Sequence, residues 1–334
     1  MSTTMRAMTI TGFGGPEVFT ETTLPIPGVL PGHVLVRVKA SSVNPVDTKI
    51  RSGMLAALAP DEPIVLGCDI AGIVEEVGDG VLDFSVGDLV YGAPCGVKGC
   101  PGALAEFVVV DADCLGLVPE GMDFGKAAAL PLVSITAWEG LYDRADVAPG
   151  QTVLVHGGAG GVGHVAVQLA VAAGAKVFST VSSSAKARIV QGLGATPIIY
   201  SDLTVAEYVE KHTKGRGFDI VFDTVGGENV EKCFEAAAVS GQVVSISTRT
   251  SADLSLLHAR GLSLHVVFML IPLVHKRGRA RHGEILTELT ALVESGKIKP
   301  LVHSESFSFA EVGKAHELLS SGLAIGKIVL HAWE

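Results

Sequence analysis

The stretch "QTVLVHGGAGGVGHVAVQLAVAAG", residues 151–174, constrains this chain more than any other. An apolar run of strand length enters a glycine-rich turn. An Ala- and Val-rich helical stretch leaves it and closes at Gly174, the residue type that best ends a helix. The alternation then repeats. "AKVFSTV" reads as a strand, "SAKARIVQGLG" as a helix and "TPIIYS" as a third strand. A helix at 204–213, a strand "FDIVFDTVG", a helix at 228–238 and a strand "GQVVSIS" continue the series. Strands alternating with helices across short connections predict an α/β fold with a parallel, doubly wound sheet.

The flanks read differently. "HVLVRVKASSV", "GIVEEVG", "DLVYGA" and "LAEFVVVDADCLGLVP" are short strand-like runs separated by Gly and Asp, which suits a compact, barrel-like β domain. Residues 124–145 shift to helical composition, with Pro131 as a local breaker. After about residue 266 the rhythm breaks. Two helical stretches, "HGEILTELTALVESG" and "FAEVGKAHELLSSG", precede a last strand "GKIVLHA", and this tail is expected to return to the first domain. A length of 334 residues fits two domains.

Composition narrows the function. The chain is 48% apolar, enough to fill real cores, and carries a net charge of −10, which argues against a nucleic-acid partner. The run "HKRGRARHG", residues 275–283, reads as a solvated loop or helix start, with a phosphate grip as the alternative. "LSLHVVFMLIPLV", residues 262–274, is too short to cross a bilayer and is read as a buried strand, so no membrane partner is expected. The opening "MSTTMRAMTITGFGG" has no long apolar segment of the secretory kind. Cys68, Cys95, Cys100, Cys114 and Cys233 are odd in number and form no C-x-x-C, so they are read as reduced thiols of a cytoplasmic protein.

The glycine turn carries the chemistry. Gly158-Ala159-Gly160-Gly161-Val162-Gly163 is a G-x-G-x-x-G between a strand and a helix, the context that gives this otherwise weak motif meaning. Gly158 permits the tight turn, Gly160 lets backbone approach a pyrophosphate, and Gly163 lets helix and strand pack closely. Exposed N–H groups and the helix dipole then favour the anion. A site selective for NAD offers an acid about 20 residues on, at the end of the second strand, for the ribose 2′-hydroxyl. Residues 179–188 here read "STVSSSAKAR", without an acid. Ser182 and Lys186 suit a 2′-phosphate, so NADPH is expected. The competing reading is that Lys186 and Arg188 only solvate a helix start. Tyr200 either covers the same phosphate or packs.

Five segments carry a resemblance. "ASSVNPVDTKIRSG" (40–53), "LGCDIAGIVEEVG" (66–78), "VLVHGGAGGVG" (153–163), "FDIVFDTVGG" (218–227) and the closing "GKIVL" resemble the medium-chain dehydrogenase/reductases, and among them the zinc-free quinone oxidoreductases like zeta-crystallin. The resemblance implies a GroES-like distorted β-barrel catalytic domain over 1–122, completed by 267–334. It implies a Rossmann nucleotide-binding domain over 123–266, with the nicotinamide in a cleft between the two. It also implies a homodimer or homotetramer, often through the last strands of the nucleotide sheet. It extends the cofactor site to Thr136, Thr224, Val225, Ser247, Phe268 and Lys327.

Zinc-dependent members take a Cys after the "VKA" strand, a His from a Gly-His-Glu triplet and a third ligand from the long helix. The matching positions hold Asn44, then Cys68 within Gly67-Cys68-Asp69, and "PLVSITAW", which offers no Cys or acid before Glu139. One thiol and an amide make a poor zinc site, so no metal is expected. The remaining chemistry is transfer of a hydride, or of single electrons, from NADPH to a quinone or an α,β-unsaturated carbonyl, with charge developing on an oxygen. Asn44 is the candidate donor to that oxygen; capping the turn before Pro45 is its alternative role. Asp47 is expected to organise Lys49, Arg51 or the cofactor. Relatives often carry tyrosines near Lys49 and Leu55. Their absence predicts an aliphatic acceptor pocket of Met54, Leu55, Leu132 and Met269, which favours an enone as readily as a quinone. Two other functions stay open: an NADPH-binding protein with little turnover, acting by interaction or as a structural protein, and a zinc alcohol dehydrogenase.

Overall fold

The computed structural model describes residues 3–94 and 96–333, so Cys95 lies outside the described residues. The chain divides into two compact units. The first comprises Met1–Leu132, Leu270–Gly296 and Val302–Glu334; the second comprises Val133–Met269 and Lys297–Leu301.

The first unit opens with strands β1 (Thr4–Ile10), β2 (Phe19–Pro25), β3 (His33–Ser42), β4 (Ile64–Val65), β5 (Ile70–Val77), β6 (Leu89–Gly92), β7 (Phe107–Asp111) and β8 (Leu115–Leu117). Helix α1 (Pro45–Arg51) follows β3, and α2 (Phe124–Ala128) and the start of α3 (Pro131–Trp138) follow β8. Strand β3 is the hub, pairing antiparallel with β5 and with β7. Its register against β5 shifts twice, at Leu35/Val36 and Val38/Ala40. Such irregularities bend and twist a strand, as a curved barrel wall needs. Asn44 stands at the N-cap of α1 with Pro45 at the first helical position, where a missing N–H costs nothing.

The second unit is a six-stranded parallel sheet of β9 (Thr152–His156), β10 (Lys176–Val181), β11 (Thr196–Ile199), β12 (Phe218–Asp223), β13 (Ala237–Ser245) and β14 (Ser263–Val266), in the order β11-β10-β9-β12-β13-β14. This is the Rossmann order, with its switch point beside β9. Helices α4 (Gly161–Ala172), α5 (Ser184–Gly192), α6 (Val205–Thr213), α7 (Asn229–Ala236) and α8 (Ser255–Ala259) connect the strands. Residues 163–170 of α4 are buried all round, which explains their nearly unbroken apolar run. Gln168 on that helix donates to Lys299 O and accepts from Lys299 N–H, which ties residues 297–301 to this unit. On one side of the sheet Phe178, Phe218, Tyr208 and Phe234 pack together, with Phe178 and Phe218 edge to face at 5.2 Å. Each such ring buried from water stabilises the unit by roughly 1.5–3 kcal/mol.

The run 262–274 departs from the buried strand expected of it. Only Ser263–Val266 form a strand, at the sheet edge, with Leu264 and Val266 exposed. Pro272 then sits in the first turn of a short helix, α9 (Ile271–His275), because a residue without N–H suits that turn and no ladder. The chain returns to the first unit with α10 (Ala280–Glu294), β15 (Phe307–Ser308), α11 (Val312–Ser320) and β16 (Val329–His331), which pairs antiparallel with β3. The basic run 275–283 is the end of α9, a short loop and the start of α10: Arg279 pairs with Asp111 at 2.9 Å and Arg281 with Glu284 at 3.1 Å. No described helix is long and apolar enough to cross a membrane.

Candidate functional site

In the first unit the polar residues singled out in the sequence meet around Asp69. Asp69 is fully buried. Its Oδ1 accepts the backbone N–H of Leu132 at 2.8 Å. Its Oδ2 accepts from Ser42 Oγ at 2.6 Å and from Asn44 Nδ2 at 2.8 Å. Lys327 Nζ approaches the same oxygen at 3.3 Å and also donates to Val43 O at 3.0 Å and to Asn44 Oδ1. An ammonium only donates, so it settles which end of the Asn44 amide is oxygen.

This cluster places two of the expected site residues. Both Asn44 amide hydrogens are directed within the unit, one to Asp69 and one to Ser42 O at 3.3 Å. Lys327, expected at the cofactor, has its three ammonium protons assigned to Val43, Asn44 and Asp69. A buried ammonium needs that many oxygens to offset its desolvation.

Asp47 does not engage Lys49 or Arg51. Its Oδ2 accepts the Asn44 backbone N–H at 2.9 Å, which holds the first turn of α1, and its Oδ1 accepts from Cys68 Sγ at 3.3 Å. Burial pushes the Asp47 carboxyl up to about 6, against the opposing pull of the Asn44 N–H, the Cys68 thiol and the Lys327 charge. Cys68 is fully buried. Among the described residues, no group of three or more His, Cys, Asp or Glu is placed to hold a metal ion. Of the expected acceptor residues, Leu132 is buried and Leu55 half-buried, whereas Met54 is 62% exposed.

In the second unit the glycine turn joins β9 to α4, and Gly160 is the N-cap. A Cβ on Gly158 would lie 2.1 Å from Ser179 Oγ, and one on Gly163 would lie 2.2 Å from Gly157 O. Neither position admits a side chain. At Gly160 the nearest atom, Gly157 O, is 3.2 Å away, so that face stays open for backbone approach by a ligand. Ala159, Gly161 and Val162 complete the turn and the first residues of α4. The turn thus fits a pyrophosphate on its geometry, at the N-terminus of a twelve-residue helix.

Other expected cofactor residues gather at the same strand ends. Ser182 is exposed after β10, Ser183 caps α5, and Lys186 is half-buried in the first turn of that helix. Tyr200 N–H bonds to Val181 O at 3.2 Å, which brings Tyr200 beside Ser182. Thr224 Oγ1 donates to His156 O at 2.7 Å, next to Gly157. Val225 N–H is held by Asp223 Oδ1 at 3.0 Å, and Ser247 N–H bonds to Ser245 Oγ at 3.4 Å. Phe268 is 42% exposed just beyond β14, whereas Thr136 and Met269 are buried.

Four residues absent from the sequence-based site stand behind this edge. Thr180, His156, Asp223 and Ser245 are directly opposed on β10, β9, β12 and β13, and all are buried. His156 Nδ1 bonds to Thr180 Oγ1 at 3.0 Å, and Ser245 Oγ donates to Asp223 Oδ2 at 2.8 Å. Burial pushes His156 down to about 4, partly offset by the nearby Asp223 charge. A signal for them existed: each sits at or next to the end of a strand of the parallel sheet, and ligands bind outside the carboxyl ends of such strands.

Two family models match the chain: an alcohol dehydrogenase GroES-like domain over residues 30–120 and a zinc-binding dehydrogenase domain over 193–330. The 2-methylene-furan-3-one reductase of Solanum lycopersicum is 35% identical over 98% of this chain and 79% of that protein. The chloroplastic NADPH-dependent alkenal/one oxidoreductase of Arabidopsis thaliana is 33% identical over the same shares. The quinone oxidoreductase of Rattus norvegicus is 31% identical over 98% of this chain and 97% of that one. Among solved structures, an alcohol dehydrogenase superfamily protein from Novosphingobium aromaticivorans superposes with a TM-score of 0.93 at 42% identity, covering 98% of this chain and 99% of that chain. With a GroES-like unit, a Rossmann sheet and relatives of this kind along nearly its whole length, the chain belongs to the medium-chain dehydrogenase/reductase superfamily, in the branch of the quinone oxidoreductases and enone reductases.

Proposed function

We propose that this chain reduces activated alkenes and quinones at the expense of NADPH. The observation that carries the reading is the open glycine turn at the N-terminus of α4, paired with a β10 end that offers Ser182, Ser183 and Lys186 and no acid. Gly158, Gly160 and Gly163 admit the pyrophosphate to the α4 amides, and Lys186 with Ser182 holds the 2′-phosphate. Tyr200, Thr136, Thr224, Val225, Ser247 and Phe268 are proposed to complete the cofactor contacts. The chemistry that bound NADPH supplies is a hydride equivalent.

On the acceptor side, the Asn44 amide already serves Asp69 and Ser42, so its proposed role moves from donor to positioning residue. Together with Asp47 it holds the start of α1, from which Met54 and Leu55 extend the acceptor surface. The proposed reaction uses no Lewis acid, because the positions that would hold one carry an amide, Asn44, and a single thiol, Cys68, a poor zinc set. We also propose pairing of two copies along β14, supported by exposed Leu264 and Val266 at that edge. Light scattering on the eluting protein reads its mass directly, and a monomer would rule this pairing out.

Purified protein with NADPH and a panel of 2-alkenals, enones and quinones tests the reaction, followed by the absorbance of reduced nicotinamide. Acceptor-dependent oxidation is expected. Tight NADPH binding without oxidation by any acceptor would instead favour a binding protein with little turnover.

A further inference from the structure

The row Thr180–His156–Asp223–Ser245 lies next to the glycine turn, at the ends of four neighbouring strands. Its members are polar, buried, and linked across four neighbouring strands. Gly157 has φ +74 and occupies the step between His156 and the turn. Its N–H is shared between Thr180 O at 3.2 Å and Thr180 Oγ1 at 3.3 Å. Its carbonyl accepts the Gly160 N–H at 2.9 Å, which closes the turn. The hydroxyl that holds Gly157 is itself held by His156 Nδ1. On the other side, the carbonyl of His156 accepts from Thr224 Oγ1. Asp223 fixes the next loop by accepting the N–H groups of Val225 and Gly226 and the Asn229 amide.

We infer that His156 is a positioning residue: through Thr180 it sets the glycine turn, and through its carbonyl and Thr224 it locks that turn to the 224–226 loop. The residue type suits the task. A valine or leucine in its place would fill the space and leave Thr180 Oγ1 free to rotate away from Gly157. An imidazole offers a directional partner at fixed reach, and burial beneath the turn keeps it neutral. The consequence is specific to the pyrophosphate. The 2′-phosphate end, at Ser182 and Lys186, hangs on the α5 cap and not on His156.

This inference rests on the proposal that the turn binds NADPH, and the test separates the two. Dissociation constants of NADPH and of adenosine 2′-monophosphate, which has no pyrophosphate, are measured for wild type, His156→Leu, His156→Asn and Thr180→Val. Leu and Val are expected to weaken NADPH at least tenfold and to leave the mononucleotide within twofold. Asn retains a short polar group toward Thr180 and is expected to recover most of the NADPH affinity. The double variant His156→Leu/Thr180→Val is expected to lose no more than the worse single one, since both remove the same link. If wild type binds neither ligand, the NADPH reading fails and this inference with it. If wild type binds NADPH and the variants match it, His156 is packing alone. Equal loss of both ligands, or failure of His156→Leu and Thr180→Val to fold, would show a general structural role and overturn the inference.

Discussion

Lys327 Nζ lies 3.3 Å from Asp69 Oδ2, and the two side chains are 3% and 0% exposed. A pair sealed this far from water is costly to assemble and costlier to break, because the surviving charge has no solvent to turn to. Asp69→Asn is therefore expected to destabilise the chain by roughly 3–5 kcal/mol. The apolar double variant Asp69→Leu/Lys327→Met should lose less than the sum of the single changes. Denaturant midpoints of wild type, Asp69→Leu, Lys327→Met and the double variant decide it, and strict additivity would count against a coupled pair.

Asp47 predicts a pH dependence with a definite sign. Its carboxyl is pushed up to about 6 in the folded chain, above its ordinary value of 3.8. A group that holds its proton more tightly when folded stabilises the fold at low pH, and that contribution fades as pH rises from about 4 through 6. The amplitude is on the order of 3 kcal/mol. Asp47→Asn, which mimics the neutral acid, should gain stability relative to wild type across that window. Unfolding curves that stay parallel from pH 4 to 7 would contradict this.

The turn glycines should divide by what surrounds them. An alanine at Gly163 drives its methyl to 2.2 Å from Gly157 O and 2.9 Å from Gly158 Cα, both backbone. Gly163→Ala is expected to cost about 1–3 kcal/mol of stability and to abolish measurable NADPH binding. At Gly160 only Gly157 O comes near, at 3.2 Å. Gly160→Ala should keep its melting temperature while NADPH affinity falls, which calorimetric titration and a thermal scan would reveal together.

Cofactor choice should follow Lys186. It stands half-buried in the first turn of α5, where Ser183 accepts its backbone N–H at 3.3 Å. Lys186→Ala is expected to weaken NADPH about tenfold, equivalent to about 1.4 kcal/mol, with little change for NADH. Ser182→Glu should invert the preference by placing an acid where a 2′-hydroxyl binds. Equal effects on the two cofactors would move the 2′-phosphate elsewhere.

Local features were legible in the chain because their causes are local. The strand–turn–helix at 152–174 and the alternation that follows depend on residues within a few positions of one another. The run 262–274 was less legible. Its apolar content looks the same whether a strand is covered on both faces or lies at an edge, and only the strand order shows the latter.

Sequence by itself determined the α/β class, the glycine-rich turn and the acid-free end of β10, since periodicity and glycine placement specify those without distant partners. Its resemblance to the family also set Asn44 and Cys68 at the positions where zinc-dependent members carry ligands. Tertiary structure decided what those residues do. Asp69 meets Lys327 across 258 positions, and that meeting commits the Asn44 amide. The polar row behind the turn exists only because β10, β9, β12 and β13 align in one register. Buried polar groups must find partners, and which partners they find depends on how distant strands are brought side by side.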